Sequence, residues 1–252
     1  MNRIVIFSID DPIYYGKLYK RVINCFHNDI IGVIKIPYFR EKGKGKLRNF
    51  IKDFKYRFRF YRLKGFLYIS FRYIIFKIIK KGNFVLAAKK KGIDVFKVNN
   101  IMDTFEILKK LKPDVILCSV DEKIPRELLE LAGLGWVNIH CGLLPKYAGI
   151  DAPFWAMLNR EKEFGVTIHL MDEDFDSGSL LLQKVVKGEF NVYFKLVDLL
   201  FENAFLLLSE FLKNINEYVA NAKPQDKSKI VYHKRPKIRD SKVFFENGKR
   251  FV

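Results

Sequence analysis

Cysteine is scarce: Cys25, Cys118 and Cys141 are the only three in 252 residues. They are too few and too scattered for a disulfide framework or a thiolate metal cage, so reduced thiols and no metal site are expected. Glycine is missing where a pyrophosphate would need it. The first apolar run ends in Ile6-Phe7-Ser8-Ile9-Asp10-Asp11-Pro12 with no Gly-x-Gly, which argues against a nicotinamide dinucleotide, and Asp10 and Asp11 would repel a phosphate there. Long hydrophobic runs are also missing. The window Phe66 to Ile79 is about fourteen residues and contains Arg72 and Lys77, against about twenty needed to cross a bilayer. The opening MNRIVIFSIDDPIYY has about six apolar residues before acids and Pro12, the pattern of a first buried strand and not of a signal peptide. A cytoplasmic protein is expected, with peripheral attachment to the inner membrane face as a variant of that reading.

Acids are scarce in one segment only. Residues 35–91 hold nineteen lysines and arginines against two acids, Glu41 and Asp53. The net charge of +18 is therefore almost wholly local, and the rest of the chain is close to neutral. With 49% hydrophobic residues, the chain can bury one substantial core, or one core and a small appendage.

Strand-like runs at 3–9, 30–36, 94–98, 114–119, 135–140 and 165–171 are separated by helix-like stretches at 16–26, 84–91, 102–111, 125–131 and 153–158. This βαβ rhythm predicts an α/β, Rossmann-like domain with a mostly parallel sheet and helices on both faces. Residues 193–213 show apolar positions at spacings of three and four and read as one amphipathic helix on the sheet. The expected organisation is an α/β domain over 1–213, interrupted by a basic aromatic insertion at 38–83, and a short extension over 214–252. That extension is polar at 222–240 and is expected to leave no room for a further barrel domain.

Ligands of open α/β sheets bind beyond the carboxyl ends of the strands, so the polar groups that end the apolar runs are the candidates for chemistry. Asn138 and His140 close one run, and Asp176 sits in the acid-rich turn after the next. An imidazole held protonated by a carboxylate can act as general acid or cationic stabiliser, and an amide N–H can face a developing oxyanion. The three together suit acyl transfer. His169, mid-run, reads as structural; Asp172, Glu173 and Asp174 read as a solvated or turn-stabilising cluster. Cys141, next to His140, is more simply a packing residue of the turn than a nucleophile.

The order Asn138, His140, Leu143, Leu144, Pro145, Tyr147, Gly149, Pro153, Gly165, Val166, Thr167, Ile168, Met171, Asp172, Asp176, Gly178 resembles the folate-dependent formyltransferases over roughly residues 84–210. The resemblance implies an enzyme that draws formyl from 10-formyltetrahydrofolate, with Asn138, His140 and Asp176 catalytic. It places the folate against Ser119, Val120, Asp121, Glu122, Lys123 and Ile124 and against Asp172, Asp174 and Phe175. The acceptor would lie against Leu143, Pro145, Lys146, Tyr147 and Gly149. The missing glycine-rich loop argues against a glycinamide ribonucleotide acceptor. Pro224-Gln225 and the run Tyr232 to Pro236 resemble the tail of amino-sugar formyltransferases, which implies the amine of a nucleotide-linked deoxy sugar and a place in lipopolysaccharide biosynthesis. Methionyl-tRNA is the second acceptor, and a catalytically weak paralogue that binds membrane or RNA is the third reading. Two positions depart from the family pattern: Ala148 stands where relatives tend to have Arg, and Asp174 where they tend to have Gly.

The insertion at 38–83 is far longer than an ordinary connection. It fits an anionic membrane surface or a helical flap packed on the domain or on a second subunit of a homodimer; RNA, gripped through phosphates and aromatic stacking, ranks behind both. Phe54, Tyr56, Phe58 and Phe60 alternate with Lys55, Arg57 and Arg59, which leaves strand and helix both open.

Overall fold

The computed structural model describes residues 2–9, 11–37, 46–79 and 83–252, with the side chains of 46–50 excepted. Asp10 and the parts of the insertion at 38–45 and 80–82 lie outside the described residues.

The strands are β1 (Ile4–Ile9), β2 (Ile30–Ile36), β3 (Val95–Lys97), β4 (Val115–Ser119), β5 (Gly135–His140), β6 (Ala148–Gly149), β7 (Glu163–Leu170), β8 (Leu180–Lys187) and β9 (Tyr232–His233). Seven of them form one sheet in the order β3-β2-β1-β4-β5-β7-β8. The first five run parallel, and β7 and β8 are antiparallel additions. The strand order reverses between β1 and β4, so the carboxyl ends of β1, β4 and β5 open on the crevice where α/β folds bind ligands.

The helices are α1 (Tyr15–Phe26), α2 (Lys46–Ile78), α3 (Phe84–Lys90), α4 (Phe105–Leu111), α5 (Arg126–Leu129), α6 (Ala152–Leu158), α7 (Tyr193–Lys213), α8 (Ile215–Ala220) and α9 (Ile238–Glu246). Every residue of β1 is buried, as expected of a parallel strand covered on both faces. Its side chains alternate between two cores. Ile4 and Ile6 enter the larger one with Leu18, Val22, Leu200 and Leu208, while Val5, Phe7 and Ile9 meet Leu108, Leu128 and Trp136 on the opposite face. At the end of β1, the Asp11 carboxylate accepts the amides of Ile13, Tyr14 and Tyr15 at 3.0 Å each. Asp11 therefore occupies the helix end where a phosphate would otherwise sit.

Three features go beyond the sequence reading. Strand β8 is an additional edge strand, LLLQKVVK, in which no residue is fully buried. The described part of the insertion is mostly helical: α2 runs from Lys46 to Ile78 with one break at Arg62, φ 54° and ψ 178°. Residues 214–252 return to the main core, where Phe244 and Phe251 are buried among Phe60, Phe154 and Tyr193. Helix α2 is tied to this returning tail by Tyr56 Oη donating to Pro236 O at 2.7 Å, Ser241 Oγ donating to Phe60 O at 2.5 Å, and Arg62 stacked 3.7 Å over the Phe245 ring.

Candidate active site

Asn138 and His140 are two residues apart on β5 and so project from the same face. The antiparallel register sets His169 opposite Asn138 and Thr167 opposite His140. The turn between β7 and β8 then returns Asp176 over both pairs, with its backbone in the left-handed region at φ 55°, a conformation that Asp tolerates better than most residues.

The Asp176 carboxylate is the hub. Oδ2 accepts the Gly149 amide at 2.7 Å and lies 3.6 Å from His140 Nδ1. Oδ1 accepts from Asn138 Nδ2 at 3.3 Å and lies 3.5 Å from His169 Nε2. Burial opposes ionisation of Asp176, but the neighbouring charge of His140, the hydrogen bond and charge of His169 and the Gly149 amide outweigh it. Together they hold the carboxyl well below the usual carboxylate range. His140 Nε2 donates to Tyr147 O at 2.6 Å, which leaves Nδ1 facing the carboxylate. His169 Nδ1 lies 2.7 Å from Leu170 O, and its Nε2 lies 3.2 Å from Asn138 Nδ2.

Two consequences follow for the sequence-based roles. His169, read as structural, belongs to the network: it faces Asn138 across the sheet, a register that no single run reveals. Asn138 directs its amide nitrogen at both Asp176 and His169, so presenting an N–H to an oxyanion requires exchanging one of these bonds. The arrangement suits charge stabilisation and proton movement in a half-buried site. Nucleophilic catalysis by Cys141 does not fit, because burial pushes that thiol up to about 12 and leaves it protonated at neutral pH.

The expected folate-side residues border the same edge. Residues 120–125 after β4 are irregular, with 121–123 exposed. Ser119 is buried and shares a 2.7 Å hydrogen bond with Tyr19 Oη. Opposite lies the 172–176 turn, where Asp172 accepts the Asp174 amide at 3.0 Å and the Ser177 hydroxyl. Lys123 Nζ sits 2.8 Å from Asp174 Oδ1 and 5.7 Å from the Phe175 ring centre. The carboxylate of Asp174 is thus answered by the ammonium of Lys123 in the facing loop.

The expected acceptor-side residues divide. Tyr147 and Gly149 bring backbone atoms to the hub. The side chains of Lys146 and Tyr147 turn instead to Glu161, both at 2.7 Å, and Leu143 packs against Gly165. The Pro145 carbonyl accepts the Val231 amide at 3.1 Å, and Ala148 is buried where β6 pairs with β9. The tail completes this wall. His233 stacks on Tyr147 and Trp155 at 5.2 and 5.3 Å, and Gln225 Nε2 donates to the carbonyls of Asp176 at 2.9 Å and Gly178 at 2.7 Å.

Gly149 is the tightest joint in this wall. Its φ is 95°, and a Cβ there would lie 2.2 Å from His233 O. Gly149→Ala is expected to part β6 from β9, displace the amide from Asp176 and lower turnover about 100-fold, as misplacement by about 1 Å does. Steady-state kinetics beside a thermal melt checks this; unchanged kinetics would show that the joint is dispensable.

Residues 81–188 match the family model described as formyl transferase. The chain is 38% identical over 170 residues to the methionyl-tRNA formyltransferase of Kosmotoga olearia, covering 65% of this chain and 54% of that protein. It thus spans about half the length of that relative. Among solved structures it resembles the phosphoribosylglycinamide formyltransferase of Streptococcus pneumoniae, with a TM-score of 0.59 and 17% identity over 86% of this chain and 99% of that one. It also resembles an N-formyltransferase of Helicobacter canadensis in complex with folinic acid and dTDP-3-aminofucose, with a TM-score of 0.55 and 20% identity over 93% of this chain and 71% of that one. At those identities the structural likenesses speak for the fold.

Proposed function

We propose, for a chain whose residues 81–188 make it a member of the formyl transferase family, that this site moves a formyl group from 10-formyltetrahydrofolate to the primary amine of a nucleotide-linked amino sugar. The observation that carries the reading is the hub of Asp176 with Asn138, His140 and His169 at the carboxyl end of β5. The donor supplies an electrophilic formyl carbon. Formylation requires negative charge to be stabilised on the formyl oxygen and protons to move from the amine to the leaving nitrogen. His140, with Nδ1 facing the Asp176 carboxylate, gives an N–H to the oxygen by exchanging its Nε2 bond to the Tyr147 carbonyl. Asp176 orients that imidazole and can relay the amine's proton through water. The exposed residues 121–123 and the exposed Phe175 ring fit a flat heterocycle, with the Lys123–Asp174 ion pair spanning the two loops.

An amino-sugar acceptor is supported by the fold shared with the Helicobacter enzyme and by the tail packed on Tyr147 and Trp155, which narrows the acceptor side to something small. Methionyl-tRNA is the second reading, favoured by the Kosmotoga relative and by the basic segment. The protein incubated with 10-formyltetrahydrofolate and a panel of amino-sugar nucleotides plus methionyl-tRNA is expected to release tetrahydrofolate with one sugar nucleotide. Turnover with methionyl-tRNA alone would reassign the acceptor, and none with either would overturn the proposal.

A further inference from the structure

Formyl transfer leaves the outer face of α2 without a task. One side of this helix is fixed to the body of the protein. Phe60 lies in the main core with Tyr61 and Ile69 packed against it, and Arg72 makes a two-pronged contact with Asp198 at 2.8 and 3.0 Å. The opposite side of the second half carries Leu63, Leu67, Phe71, Ile74 and Ile78. Spacings of four, four, three and four place them within an arc of about 80° on a helix of 3.6 residues per turn. All five are 54–68% exposed. On the first half Phe54 and Phe58, also exposed, meet the Phe66 ring at 5.0 and 5.5 Å. Scattered apolar side chains on a surface need no explanation, whereas a continuous stripe marks a contact.

The charge beside the stripe identifies what it touches. Helix α2 has ten lysines and arginines and one acid, Asp53, which is already held by Arg57 at 2.5 Å and Arg235 at 2.8 Å. We propose that this face lies on an anionic lipid bilayer, with the stripe seated below the head groups and Lys52, Lys55, Arg59, Lys64 and Lys77 among them. A second copy of the chain is a poor occupant: pairing α2 with itself would bring cations against cations with no acid to answer them. RNA would find the phosphate contacts but has no use for four exposed Leu and Ile side chains, which cannot stack on bases. Among the described residues no helix is long and apolar enough to cross a membrane, so the contact is one of lying on the surface. The inference is independent of the acceptor proposed above.

The test is co-sedimentation of the purified chain with vesicles of phosphatidylglycerol and phosphatidylcholine, against phosphatidylcholine alone, at 0.05 and 0.5 M salt. Binding to the anionic vesicles is expected, weakened at least about tenfold by removal of phosphatidylglycerol or by high salt. The double substitution Phe71→Ser with Ile74→Ser is expected to weaken binding at least about tenfold while leaving the thermal melt unchanged, since both side chains are exposed. Absence of binding to anionic vesicles, binding that the double variant retains, or a concentration-dependent dimer in its place would overturn the proposal. So would preferential binding of RNA that survives loss of the stripe.

Discussion

His140→Ala is expected to lower kcat for the proposed formyl transfer by about 100- to 10,000-fold, the usual contribution of a positioned acid or base, while the KM for the proposed donor changes little. The His140 side chain has no role in holding the sheet together: its polar contacts are the Tyr147 carbonyl and the Asp176 carboxylate, and its loss removes the imidazole from the site without opening the main core. A rate effect confined to KM would mean that His140 only helps bind substrate. Asp176→Asn separates the charge from the geometry, because Asn retains an oxygen for the Gly149 amide. The sign of its pH dependence is fixed by the depressed carboxyl. A folded-state value held below the unfolded one contributes stability that is fully present above the ordinary carboxylate range, about pH 4, and is lost as the pH falls toward the folded value. The gap in urea midpoint between the parent chain and Asp176→Asn is therefore expected to be widest near neutrality and to narrow steadily as the pH falls below about 4. A gap independent of pH would remove the ion-pair reading of the hub.

What could be read without coordinates follows from how local each signal is. The parallel strands are unbroken apolar runs because they are covered on both faces, and β1 announces itself in IVIFSI. Asn138 and His140 were legible because they end such a run two residues apart, and Asp176 because it lies in the next turn. His169 was not, since its partner is set by the register of β7 on β5, a long-range property. Gln225 and His233 were visible only as a tail pattern; their closure of the turn and of the 147–155 wall depends on the chain returning across the molecule. Helix α2 was ambiguous between strand and helix for a physical reason. Apolar side chains line both its inner and outer faces, so it has no single amphipathic stripe of the kind that identifies a helix resting on a core.

Phe251→Ala is expected to destabilise the protein by about 3 to 5 kcal/mol, the range for removing a large buried aromatic side chain. Phe251, which immediately precedes Val252, is 1% exposed. Its ring meets those of Phe60 at 5.3 Å, Tyr61 at 4.9 Å, Tyr193 at 5.5 Å and Phe244 at 5.0 Å. These come from α2, α7 and α9, so one side chain joins the insertion, the helix on the sheet and the returning tail. If α2 were an appendage, the loss would fall near the effect of a surface change, within about 0.5 kcal/mol, and Phe60→Ala would add to it independently. If the three elements form one core, a double-mutant cycle on Phe60 and Phe251 should give a coupling of about 0.5 to 1.5 kcal/mol, as for aromatic pairs in contact. Guanidinium unfolding of the four proteins decides between these outcomes. The coupled outcome has a functional corollary: Tyr56 and Arg235 tie α2 to the segment that carries His233, so the rigidity that holds the apolar stripe outward also holds the wall of the acceptor side in place.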